Sequence, residues 1–122
     1  MITPQNTFDI FIGSGALNYP WFDEVSFTGF VDGEAQDDWS VTFSLPREFE
    51  DDEPGKRYTL NHRRIMRTVH MIARGLQKGI NPNGPVRQQC RIMLKDVDYC
   101  DFDAGTADCV LQATAFNDVV YC

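Results

Sequence analysis

The sequence predicts an α+β domain: one N-terminal helix, an antiparallel strand pair, then three helices packed on the sheet. Three observations lead there. Trp39, Val41, Phe43 and Leu45 alternate with Ser40, Thr42 and Ser44, the pattern of a strand with one buried face. Ile65, Val69, Ile72 and Leu76 recur at the helical period. Pro85 and Asp103 are helix-starting residues placed just before two further apolar patterns. A chain of 122 residues is one domain, residues 1–122, on length alone. Nine Phe, four Tyr and two Trp exclude a disordered chain.

The elements follow in order. Residues 4–16 carry both a strand-like alternation (Phe8, Ile10, Ile12) and a helical face (Phe8, Phe11, Ile12). Pro4 suits a first helical turn, and we read a helix that ends near Gly13. Pro20 interrupts regular structure among Tyr19, Trp21 and Phe22. Residues 25–31 read as a strand, with Gly29 at a bulge, and Asp32-Gly33 opens a turn. Residues 46–57 read as an exposed loop holding Glu48, Glu50, Asp51, Asp52 and Glu53. That run lacks the alternation and the glycine of a calcium loop.

Residues 60–78 read as a helix capped by Thr59 or Asn61 and ended by Lys78 and Gly79, with Gly75 inside it. The next helix runs from Pro85 to about Lys95, burying Val86, Cys90, Met93 and Leu94. Asp103 caps a last helix through about Ala115, with Ala107, Val110, Leu111 and Thr114 inward. Residues 116–122 either form a short strand or continue that helix. The helices at 60–78 and 104–115 are expected to cover the apolar face of the strand pair. An extra strand or a second subunit would protect an open sheet edge, the latter as a homodimer with Trp21 and Phe30 as contact residues.

Charge is segregated along the chain. Residues 1–53 hold twelve acids and one base, residues 54–95 ten bases and no acid, and residues 96–122 six acids and no base. The net charge of −7 argues against nonspecific DNA binding by the whole molecule. It leaves room for a local anion-binding face. Arg63, Arg67, His70 and Arg74 form a stripe on the side of the 60–78 helix opposite its apolar face, extended by Arg57 and Arg64. Guanidinium forks suit phosphate or carboxylate, and His70 strengthens such binding when protonated. The plainer reading of the stripe is the solvent face of an amphipathic helix.

Other chemistry has no positive sign. Cys90, Cys100, Cys109 and Cys122 include no close pair, and His62 and His70 lie two helical turns apart, so no metal site is expected. No nucleotide-cradling glycine loop and no nucleophile elbow occur. No cofactor is expected, and an enzyme is not favoured. No apolar run is long enough to span a membrane. No Lys or Arg precedes Arg47, which argues against a secretory signal and for a reducing cytosol.

Two patches carry a family resemblance. One is Gly13-Ser14-Gly15-Ala16-Leu17-Asn18-Tyr19 with Trp21. The other is Asp103-Ala104-Gly105-Thr106-Ala107-Asp108 with Leu111-Gln112, Phe116 and Val119-Val120-Tyr121. Together they resemble small accessory proteins of tailed phages, especially those of actinobacterial hosts. Cys122 stands where the family pattern ends in Gly, and Asn117 where it has Gly. The resemblance implies a phage or prophage accessory protein in the cytoplasm of the host bacterium, of a kind that acts on host defence or regulation. It transfers no catalytic residue.

Three functions follow as expectations. The first is a non-catalytic accessory factor that binds a host protein or an anionic small molecule through Arg63, Arg67, His70 and Arg74, with nucleic acid not favoured. The second is an acidic mimic of nucleic acid, built on loops 48–53 and 96–103. The third is an enzyme with an unrecognised site.

Overall fold

A computed structural model describes residues 1–46 and 56–121. The acidic run Glu48–Glu53, and with it one of the two proposed mimic loops, lies outside those residues. The described chain is α+β: an N-terminal helix, a three-stranded antiparallel sheet, and three later helices. The sheet order is β1 (Asp23–Val31), β2 (Glu34–Ser44), β3 (Arg57–Asn61).

Helix α1 (Pro4–Thr7) begins in a capping box. Thr3 Oγ1 accepts from the Asn6 N–H, and Asn6 Oδ1 accepts from the Thr3 N–H. The helix then loosens into a π-helical stretch, Phe8–Ile12, closed by the Gly13 N–H on Phe8 O. A Cβ on Gly13 would stand 2.6 Å from Asp9 O, so the wider turn needs glycine there. The helix ends where the sequence places it.

The β1–β2 hairpin closes through Asp32 (φ 52°) and Gly33 (φ 80°), a two-residue turn with both central residues left-handed. The register slips at Thr28/Phe30, around Gly29. Gly29 has φ 78°, and a Cβ there would meet Trp39 Cα at 2.6 Å, so the expected bulge is real and specific to glycine. On β2, Trp39, Val41 and Phe43 are buried as their alternation requires.

The sheet holds a strand more than the expected pair. Residues Arg57–Asn61 pair with Ser44–Ser40 of β2 and run straight into helix α2 (His62–Ala73). The helix expected over 60–78 is therefore shorter at both ends. At its start Asn61 Oδ1 accepts from the Arg64 N–H. At its end the Gly75 N–H donates to Ile72 O and the Leu76 N–H to Met71 O, a Schellman closure with Gly75 at φ 75°. Gly75 therefore terminates the helix rather than sitting inside it. Leu76, expected on the buried face, falls beyond the reversal and is 59% exposed.

Helix α3 (Pro85–Lys95) has the expected bounds, with Cys90 and Met93 buried and Val86 and Leu94 half-buried. Helix α4 (Ala104–Phe116) starts at Asp103, whose carboxylate accepts from the Thr106 N–H. It ends at Asn117, itself left-handed. Residues 117–121 neither extend α4 nor form a strand. The core lies between the inner face of the sheet (Trp39, Val41, Phe43, Leu60) and the helices. From the helical side come Phe11, Ile65, Val69, Ile72, Val110 and Leu111. Each such side chain contributes about 2 kcal/mol by leaving water.

Trp21 is not available to a partner. It is 7% exposed, stacked 4.9 Å from Tyr19 and 5.8 Å from Tyr121. Phe30 is half-buried, its ring edge-on to Phe8 at 5.3 Å. The large apolar groups exposed on β1 are Phe27 and Val31.

Candidate functional site

Helix α2 packs between α3 and α4 and turns its outer side to solvent. Arg63, Arg67, His70 and Arg74 are all exposed along that side, over about 16 Å of helix. The structure thus keeps the four expected site residues on one ridge. It also divides them. Arg67 borders a cleft toward α4, and His70 borders a groove toward α3 and the N-terminus. Arg74 sits at the C-cap, where a cation opposes the negative end of the helix.

The described residues do not neutralise the ridge. Arg57 pairs with Glu24 at 3.5 Å, and Lys78 with Asp118 at 3.4 Å. Among the described residues, Arg63, Arg67 and Arg74 have no carboxylate partner. The acids of the 96–103 loop are partly committed to local structure. Asp96 accepts from the Asp98 N–H, and Asp103 caps α4. The Asp103 carboxyl is held below its ordinary range by the backbone and hydroxyl of Thr106.

Two further arginines, Arg64 and Arg87, are tethered to backbone carbonyls. Arg64 Nη1 donates to Thr59 O at 2.9 Å, and its Nη2 reaches Thr114 O at 3.5 Å. Arg87 donates through Nε to Ala73 O at 3.1 Å and through Nη1 to Pro82 O at 3.0 Å. No sequence spacing marks these partners, because each carbonyl belongs to a different element.

Neither a family model, a curated protein nor a solved structure matches this chain. The site therefore rests on its own geometry.

That geometry does not activate Cys90 or Cys100 as a nucleophile. Burial, and secondarily the nearby Cys100, push Cys90 up to about 12, so it stays a neutral thiol at physiological pH. Burial raises Cys100 as well. His62 is half-buried, its Nδ1 2.9 Å from Thr7 Oγ1, and burial lowers its pKa. Among the described residues, no three His, Cys, Asp or Glu side chains converge as metal ligands would. No helix among them is long and apolar enough to cross a membrane.

Trp21, Asp108, Gln112, Val120 and Tyr121, drawn from both of the sequence patches, meet in one cluster. Trp21 Nε1 donates to Asp108 Oδ1 at 2.7 Å, and Gln112 Nε2 to Asp108 Oδ2 at 2.9 Å. Gln112 Nε2 also donates to Tyr121 O, while Gln112 Oε1 accepts from the Val120 and Tyr121 N–H groups. Two patches far apart in sequence are thus one structural clasp. It holds the segment after α4 against the turn before β1.

Proposed function

We propose that this chain is a non-catalytic binding protein that engages an anionic surface of a host component along the outer side of α2. One observation carries the reading. Arg63, Arg67 and Arg74 stand exposed in line, without a carboxylate partner among the described residues, in a chain of net charge −7. A row of unpaired guanidiniums in an acidic protein is a local positive field, suited to steering an acidic partner into register. The phage-type resemblance supplies the setting, a host bacterial cytoplasm and a role against host defence or regulation.

The experiment reverses the ridge. R63E/R67E/R74E should keep the thermal midpoint of the parent within a few degrees, because all three side chains are exposed. Host proteins retained by the immobilised parent should be lost from the variant. Retention should also weaken as salt rises. Equal retention by parent and variant would overturn the reading.

A further inference from the structure

We infer that the cleft between α2 and α4 is a binding site for a small phosphate-bearing molecule. This goes beyond partner capture along the ridge, with which it shares Arg67. The cleft has a volume of about 280 Å³, room for a phosphate group with a compact organic body. Arg64 and Arg67 stand at its mouth, three residues apart and therefore adjacent on the helix surface. Among the described residues, no carboxylate lines it.

The two guanidiniums differ in a useful way. Arg64 is tethered by Thr59 O and Thr114 O, so its fork is already oriented. Arg67 has no partner among the described residues and is free to close on a ligand. Among the other polar groups, Asn117 adds a donor to the two cations. Gln77, 9% exposed, donates Nε2 to Asn117 Oδ1 at 3.0 Å and so occupies that oxygen. This fixes the Asn117 amide with its own N–H groups unclaimed among the described residues. Thr68 and Thr114 donate their hydroxyls to the carbonyls of Arg64 and Val110. Met71 and Ala113 supply an apolar wall. Two forked cations with an amide donor, and no anionic competitor, match the several oxygens of a phosphate better than the two of a carboxylate.

The test is titration calorimetry with inorganic phosphate, ribose 5-phosphate, ribose and acetate as probes. Saturable binding of a phosphate probe in the millimolar range or tighter is expected. R64Q and R67Q should each weaken it about tenfold or more. R67Q is the safer variant for folding, since Arg67 has no partner among the described residues. R63Q/R74Q should change it far less than R67Q does, which separates the cleft from the ridge. Tighter binding of ribose 5-phosphate than of phosphate would identify a phosphate ester, and equal binding the free ion. Acetate binding as tight as phosphate, R67Q binding as tight as the parent, or no saturable binding of either phosphate probe overturns the inference.

Discussion

Gln112→Ala is expected to lower unfolding free energy by about 3 kcal/mol, read by urea denaturation. Gln112 is fully buried, and its amide serves both faces of the clasp. Removal takes a donor from the Asp108 carboxylate and from Tyr121 O, and an acceptor from two backbone N–H groups. Water can reach the groups on the terminal segment once it lifts away, but not Asp108, which is 5% exposed. A loss below about 1 kcal/mol would mean that water replaces the amide without structural cost.

The same cluster makes a prediction about pH. Burial raises the Asp108 pKa, against the opposing bonds from Trp21 and Gln112. The folded chain therefore keeps this proton to higher pH than the unfolded chain does. Its stabilising effect is full below the unfolded value and declines as pH rises through the folded one. The stability of the parent relative to D108N should accordingly fall as pH rises from the ordinary carboxylate range toward neutrality. A rise over that range would show an Asp108 favoured as the anion.

Trp39→Ala has the largest expected cost, about 4 kcal/mol by urea denaturation. Trp39 is 1% exposed, meets the Phe8 ring edge-on at 5.4 Å, and donates Nε1 to Pro4 O at 2.7 Å. One side chain thus fills the space between sheet and N-terminal helix and satisfies a carbonyl at the helix start. Trp39→Phe should cost less, because most of the volume stays and only the hydrogen bond is lost. Equal losses for the two variants would place the energy in that bond rather than in packing.

The parts of the fold that were legible in sequence are those fixed by near neighbours. The β2 alternation, Pro85 at the start of α3 and Asp103 at the start of α4 each state a local rule that packing then obeys. Residues 57–61 state no such rule. Arg57-Tyr58-Thr59-Leu60-Asn61 is short, and it abuts a helix with no breaker between them. Its strand character comes from β2, which offers it Ser40–Ser44. Trp21 read as a dimer-contact residue because its indole partner, Asp108, is 87 residues away. The α2 ridge was visible as a spacing of like charges on one helix. The cleft beside it was not, because it needs the reversal at Gly75 to bring Gln77, just past α2, to Asn117, the C-cap of α4.

The unequal lengths of the strands have a mechanical consequence. β3 covers β2 only from Ser40 to Ser44, while β1 follows β2 out to Glu34. The far half of the hairpin is therefore a two-stranded arm, braced by Phe8 against Phe30 and Trp39. Two strands alone are marginal in water. The arm can fray without disturbing the three-stranded base, so the molecule has a yielding end and a stiff end. The basic ridge and its cleft stand on helices next to the stiff one.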